Sequence, residues 1–586
     1  MIITYWKGVF VADTLDEKGA LRNAGFLLHE PTTCNLKQEK CKACRAEIGR
    51  RFWSDRMESA TRLKQFCNQR ALGVMRDHLT RLEKSRAVDA PIEIPRSEKV
   101  RSLGWDYKGY QKAGVAYAIQ RKDTLIGDDM GLGKTIQALG FVNYTKPKNV
   151  IVTCPKTVMF NWRDEALTWL VDDYEIVLVN SKLTEIPQRD GLFVIVNYQK
   201  LIGKTPLSKS LARIWDVLIS DECQALKNID TETSKSILGD TGLMRRSHRT
   251  LFLTGTPIEN YPKEIWAIAA SVCPAKFGDW WEFMARYAGL HQEERKYEKV
   301  DKETGKKETY AKKIWVDTGG TRLAELQQRL RATFMVRRLK SDVLKELPPK
   351  RRQLILLEDT KVDWSKDPDF KRWRELYEAE YEEKLAKLEA AKTSDDYKSA
   401  ALALENFTGI AFEEMSEFRH KTALAKLPLC LQYTEQMMGS GLGNVVIWCH
   451  HRDVMEQTFE TFKNDAVMVH GNTPDRGPRS RENMVKMFQA GQKKIFIGQI
   501  RAAGAGITLT ACNTTIFYEI DWVPGVLSQC EDRLCRIGQK KMVHVIHLLL
   551  GGTLDANMAR KIVQKQEVID RALDKMPELK LRKMAI

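Results

Sequence analysis

Asp128-Asp129-Met130-Gly131-Leu132-Gly133-Lys134-Thr135 stands between a short apolar run, Thr124–Ile126, and a helical period, Thr135–Tyr144. A strand that turns through glycines into a helix is a setting in which backbone N–H groups and a helix N-terminus cradle phosphate. Gly131 and Gly133 permit left-handed backbone angles. Lys134 is placed to reach the β- and γ-phosphates of a nucleotide, and the Thr135 hydroxyl to ligate Mg2+. The common phosphate-loop pattern has Gly where this chain has Asp128, so the assignment rests on the strand–turn–helix context.

The surrounding sequence repeats that context. Val150–Thr153, Ile176–Val179, Phe193–Asn197, Val217–Ser220 and Leu251–Thr254 are β-branched-rich runs, apolar on both faces, as buried parallel strands are. Helical segments such as Thr157–Leu170 lie between some of them, which predicts βαβ units and a parallel sheet. A second series, Val445–Cys449, Val467–Val469, Lys494–Ile497, Thr515–Tyr518 and Val543–Leu549, predicts a second α/β domain. Between the two, His291–Lys313 reads as a surface hairpin or loop, and the Glu-, Lys- and Ala-dense stretch Asp363–Asn406 as long solvated helices.

Asp221-Glu222 closes the run Val217–Ser220. Behind a phosphate loop, Asp221 is expected to hold Mg2+ and Glu222 to polarise the attacking water. In the second domain Arg533 and Arg536 fall three apart on one helix face, from which they can meet charge developing on a γ-phosphate.

The 586 residues carry 94 Lys+Arg against 77 Asp+Glu, a net charge of +17. A surplus of that size suits a polyanionic partner. No stretch approaches the ~18 apolar residues that span a bilayer, and Met1–Phe10 lacks the apolar core of a secretory signal. A cytoplasmic, reducing setting is therefore expected, without a membrane partner. The twelve cysteines are expected to be thiols; Cys154, Cys449 and Cys512 sit in apolar runs. His29-x4-Cys34-x6-Cys41-x2-Cys44 is the exception. It either forms a zinc site, with Cys67 an alternative to His29, or is a set of reduced thiols in a basic module.

The ordered motifs resemble the Swi/Snf-like family of superfamily-two helicases. Residues 128–137 are similar to that family's motif I, Tyr110-Gln111 with Gly114-Val115 to its adenine-reading glutamine motif, and Thr153-Cys154-Pro155 with Asn161-Trp162 to motif Ia. Asp221–Gln224 with Lys227-Asn228 resembles motif II, Thr254–Pro257 motif III, Arg501–Thr510 motif V and Gln529–Gln539 motif VI. Arg337–Val343 followed by Leu347–Lys350 resembles the segment bridging the two motor halves. Thr508-Leu509-Thr510, Asp521–Gly525 and Gly552–Asp555 look most like the annealing-helicase branch.

The resemblance implies two RecA-like parallel-sheet domains, at 96–288 and 436–560. It also implies a helical insertion and bridging segment at 289–435, a basic N-terminal module at 1–95 and a helix with a basic tail at 561–586. It implies ATP and Mg2+ bound by Gln111, Asp128, Met130, Gly131, Leu132, Gly133, Lys134, Thr135 and Gly506, with Thr135 and Asp221 on the metal. Lys134, Asp221, Glu222, Arg533 and Arg536 would be catalytic. The implied activity is ATP-driven translocation on double-stranded or forked DNA by a monomer, remodelling or reannealing forks and bubbles. A strand-separating DNA or RNA helicase and an ATP-gated clamp without turnover are the alternatives. Three departures stand out. Motif II has Gln224 where His is usual, from which altered coupling is expected; Gly127 replaces Ala; and Ile497-Gly498-Gln499-Ile500 replaces a Ser-Thr-rich turn. The absence of an appended histone-reading sequence fits a bacterial or viral source.

Overall fold

The computed structural model describes residues 67–357 and 412–562 apart from gaps at 180–182, 204, 260, 301–306, 317–319, 345, 349, 440–442, 475–476, 504–506, 522, 537, 552, 554, 556–557 and 560–561. Before residue 67 it describes 3–6, 9–12, 21, 26–28, 52–54 and 65. The stretch Asp363–Asn406, the tail 563–586 and the cluster His29, Cys34, Cys41, Cys44 lie outside the described residues. The chain divides into two compact units, Met1–Arg86 with Arg331–Thr333, and Ala87–Leu330 with Phe334–Ile586.

The first unit holds strands β1 (Ile3–Trp6), β2 (Val9–Ala12), β3 (Leu27–Leu28) and β4 (Phe52–Ser54) in an antiparallel sheet of order β1-β2-β4-β3. Helix Gln69–Arg86 accompanies it. Ile3, Phe10, Phe26, Ala71 and Met75 form its core, and Cys67 is buried among them.

The second unit contains two parallel sheets, as the apolar runs predict. The first consists of β5 (Asp123–Ile126), β6 (Asn149–Cys154), β7 (Glu175–Leu178), β8 (Leu192–Asn197), β9 (Trp215–Asp221) and β10 (Ser247–Leu253). An antiparallel hairpin, β11 (His291–Val300) and β12 (Lys307–Val316), occupies the charged stretch read as a hairpin or loop. Strand β13 (Met335–Val336) then pairs with β5, giving the order β13-β5-β10-β9-β6-β8-β7. The second sheet is β14 (Lys350–Leu357), β15 (Val445–Cys449), β16 (Ala466–Val469), β17 (Ile495–Gln499), β18 (Thr514–Phe517) and β19 (Val543–Leu550), in the order β14-β19-β18-β15-β17-β16.

The central strands feed two cores because side chains alternate across a sheet. Leu125 and Ile151 pack on one face of the first sheet, Ile126, Val150 and Val152 on the other. In the second sheet Val446 and Trp448 face one way, Val445, Ile447 and Cys449 the other. This two-sided burial is why the runs are apolar without alternation. Cys154, Cys449 and Cys512 are core thiols, as their context predicts. Gly498, in the segment that departs from the family pattern, has a packing reason: a Cβ there would lie 2.4 Å from the Trp448 indole.

Segment 289–435 is the one expected to hold a helical insertion and the bridge between the sheets. It supplies an edge strand to each sheet, β13 to the first and β14 to the second. Helix Phe412–Gly439 is anchored to the second sheet through Lys426, which donates to Leu548 O at 3.0 Å and to Asp555 Oδ2 at 2.6 Å. Among the described residues no helix is long and apolar enough to cross a membrane.

Candidate nucleotide site

Register assembles the site. Ile126 of β5 pairs with Leu253 of β10, and Leu253 with Asp221 of β9. Loop 127–133, Thr254-Gly255 and Asp221-Glu222 therefore leave one carboxyl edge side by side, where open parallel sheets bind ligands.

Gly131 (φ +80°) and Gly133 (φ +70°) take the left-handed conformations expected of the loop, and Gly133 opens helix Lys134–Thr145. A Cβ on Gly133 would lie 2.5 Å from Gln111 Nε2, so the loop packs directly on the glutamine motif. Lys134 Nζ donates to the carbonyls of Asp128 (3.0 Å) and Asp129 (3.2 Å). Burial pulls its pKa below the ordinary lysine value although Glu222, Asp128 and Asp221 push it up.

Asp221 and Glu222 lie at the end of β9. Asp221 accepts from Trp162 Nε1 at 2.8 Å and from the Glu222 N–H at 3.0 Å. Burial and the Glu222 charge raise its carboxyl to about 7. Glu222 has φ +50°, a left-handed angle that costs a non-glycine residue on the order of 1–3 kcal/mol and clusters at functional sites. Gln224 Nε2 donates to Glu222 Oε2 at 2.9 Å, so the side chain replacing the family's histidine holds the acid. A half-buried acid pair this crowded fits a divalent cation, with Thr135 at the head of the helix as its second oxygen donor.

Arg533 and Arg536 come to the same place from the second sheet's lobe. A Cβ on Gly131 would lie 3.3 Å from Arg536 Cγ. Arg536 donates to Thr508 Oγ1 at 2.8 Å and to Asp532 O at 3.1 Å; Arg533 donates to Gln529 O at 3.1 Å. Gln529 reaches Thr256 Oγ1 of the first lobe at 3.4 Å. Burial lowers both arginines' pKa, Arg533 depresses Arg536 further, and the Glu222 charge opposes both shifts. Three cations, the half-buried Lys134 and Arg536 and the buried Arg533, thus converge on one loop, a polarity that suits a polyphosphate.

Some expected nucleotide contacts are spent inside the protein. Asp128 is fully buried, and both its oxygens are taken: Arg338 N and Nε each donate to Oδ1 at 2.9 Å, Gln137 Nε2 to Oδ2 at 2.9 Å, and Arg338 Nη2 also binds Oδ2. Against the upward push of burial, Arg338 holds its carboxyl below the usual range. An ionised carboxylate would repel phosphate, so the Asp128 side chain shapes the loop, and what Asp128 offers a nucleotide is backbone. Gln111 uses its amide on Leu132 O (3.3 Å) and its carbonyl on Lys108 N (3.0 Å). The side chains of Leu132 and Met130 are buried, and Met130 packs against Gly255. What these two residues offer a ligand is backbone. Gly506 lies outside the described residues.

The bridging segment contributes more than its sequence suggests. Arg337 donates to Gly127 O, to Gly255 O at 3.4 Å and to Asp129 Oδ1 at 3.3 Å, tying the loop to motif III. An acid in a phosphate-binding loop requires a buried counter-cation, and the adjacent pair Arg337-Arg338 was the available signal. As for zinc, no group of three or more metal-ligating side chains occurs among the described residues.

A glycine loop, an acid pair and an arginine pair held between two parallel sheets define a two-lobed, RecA-like phosphate-loop core. The model of the SNF2-related domain matches residues 110–404 and that of the helicase conserved C-terminal domain residues 428–538. The chain belongs to the SNF2-related family. It is 29% identical over 494 residues to the SWI/SNF-related matrix-associated actin-dependent regulator of chromatin subfamily A-like protein 1 of Xenopus tropicalis, covering 82% of this chain and 46% of that protein. It is 28% identical over 477 residues to the DNA annealing helicase and endonuclease ZRANB3 of Mus musculus, covering 79% and 40%. The chain thus spans less than half the length of these relatives. The SWI2/SNF2 ATPase core of Sulfolobus solfataricus in complex with dsDNA aligns over 79% of this chain and 92% of that one, at 20% identity and a TM-score of 0.35.

Proposed function

We propose that the chain hydrolyses ATP between its lobes and uses the closing and opening of that cleft to move along double-stranded DNA, remodelling or reannealing forks and bubbles. The observation that carries this reading is Arg536 of the second lobe seated on Gly131 of the first. A site divided between two bodies converts nucleotide turnover into relative motion. In this reading Lys134 binds the β- and γ-phosphates, Glu222 accepts a proton from the attacking water, and Arg533 and Arg536 stabilise charge on the γ-phosphoryl group as it passes from ADP to that water. Mg2+, when bound through Thr135 and Asp221, would supply electrostatic neutralisation of the phosphates.

Support for a duplex substrate comes from the net charge of +17 and from a relative whose name is that of a DNA annealing helicase. Contacts to the DNA would be backbone-directed, largely sequence-independent and steeply salt-dependent. The cytoplasm and a monomeric state belong to the same proposal. The deciding experiment is steady-state ATP hydrolysis with duplex, forked and single-stranded DNA and RNA over a salt series. Duplex or forked DNA should stimulate most. Stimulation by RNA alone, or robust unwinding of a tailed duplex, would favour the strand-separating helicase, and no turnover on any polymer would favour the clamp.

A further inference from the structure

The bridging segment makes one contact that neither motif set explains. Strand β13 and the residues after it are built onto the first lobe: Asp129 N–H donates to Arg338 O at 3.0 Å, and Lys340 N–H to Asp129 Oδ2 at 3.1 Å. From that anchor the Lys340 side chain crosses to the second lobe. Its Nζ lies 2.9 Å from Asp532 Oδ1 and donates to Cys535 O at 2.8 Å. Both members of the ion pair are mostly shielded, at 13% and 12% exposure, so it is stronger than a surface pair. Asp532 in turn accepts from Arg536 Nε through its carbonyl.

Lys340 therefore links the loop that carries Lys134 to the turn that carries Arg536, through Asp129, whose carbonyl accepts from Lys134, and Asp532, whose carbonyl accepts from Arg536. Lys350 also binds Asp532, at 3.1 Å, but it begins β14 and belongs to the second sheet, so its bridge closes within that lobe. Against the push of burial, Lys340 and Lys350 together hold the Asp532 carboxyl well below the usual range, which keeps the acceptor ionised.

We propose that Lys340 is the positioning residue that registers the arginine-bearing turn of the second lobe on the nucleotide loop of the first, with Asp532 as its acceptor. As a statement about catalysis it rests on the ATPase reading above; as a statement about the lobes it does not. It implies that the segment between the sheets acts as a latch and not merely as a tether.

The test uses the full chain with Lys340→Met, Lys340→Arg and Asp532→Asn, and Lys463→Gln as a control that removes an exposed ion pair to Glu460. Turnover, nucleotide affinity by a fluorescent ADP analogue, melting temperature, and the interlobe distance by paired spin labels are measured. Lys340→Met should lower kcat about 100-fold, the scale of a misplaced catalytic group, with affinity for ADP and melting temperature unchanged. Its interlobe distance distribution should broaden, and Lys340→Arg should restore both. Asp532→Asn should fall between, and Lys463→Gln should match the parent. An unchanged kcat, or loss of ADP affinity and melting temperature together with kcat, would overturn the proposal. If the parent itself proves unable to hydrolyse ATP, the ATPase reading fails separately. The distance measurement without nucleotide then decides the latch, and an unaltered distribution in Lys340→Met rejects it.

Discussion

Asp128→Asn is the most direct probe of how the loop is held. Aspartate at this position accepts four hydrogen bonds, three from Arg338 and one from Gln137, at full burial. Asparagine keeps one acceptor oxygen and turns the other position into a donor facing Arg338 or Gln137. The guanidinium, itself 1% exposed, is left buried without an anion. Removing one partner of a buried pair costs about 3–5 kcal/mol. For a domain of roughly 200 residues, at about 2–4 °C per kcal/mol, the melting temperature should fall by about 6–20 °C. Calorimetry of the parent and variant measures this directly. Replacing both partners, Asp128→Leu with Arg338→Met, should recover most of the loss, because two apolar groups leave no stranded charge. A melting point within about a degree of the parent, or a double variant no better than the single one, would refute the argument.

Gly114→Ala should act on the same network from its far side, since a Cβ there would lie 2.0 Å from Gln137 Oε1 and 2.8 Å from Arg338 Nη2. Overpacking of this kind costs about 1–3 kcal/mol, read as a lower melting point and weaker nucleotide binding. Arg536→Ala should slow ATP hydrolysis about 1000-fold with ATP affinity kept, and Arg533→Ala somewhat less, as measured by single-turnover kinetics. His547 is pushed down to about 4 by burial against the stacked ring of Phe517. The unfolded chain, with a histidine pKa near 6.5, therefore binds its proton first. Stability is complete above about pH 6.5 and declines toward pH 4, by up to about 1.4 kcal/mol per pH unit from this residue. Denaturant melts of His547→Phe across that window should show a shallower slope than the parent.

Much of the architecture was legible in residue order because its signals are local. Val150–Thr153 and Val445–Cys449 read as buried strands from their own composition; the observed strand extends the first by one residue at each end and coincides with the second. Strands β13 and β14 were not legible. A two-residue strand such as Met335–Val336 has no period to detect, and β14 exposes Arg351, Arg352, Leu354 and Leu356, charged and apolar alike, along a sheet edge. Both fall within the helical insertion and bridging segment, and both are edge strands whose existence depends on a neighbour distant in sequence.

Residue order alone shows a phosphate-binding turn, an acid pair at a strand end and a spaced arginine pair in one chain, in that order. Each is a local arrangement of residue types, so spacing suffices. Which of those side chains face a ligand was decided by the tertiary structure. Asp128 reads as part of the nucleotide loop until Arg338, 210 residues away, takes its charge. Gln111 reads as a free recognition group until Lys108 and Leu132 occupy its amide. Charge compensation and hydrogen-bond satisfaction in a buried site are set by whatever the fold brings within about 3 Å, and that distance has no counterpart along the chain.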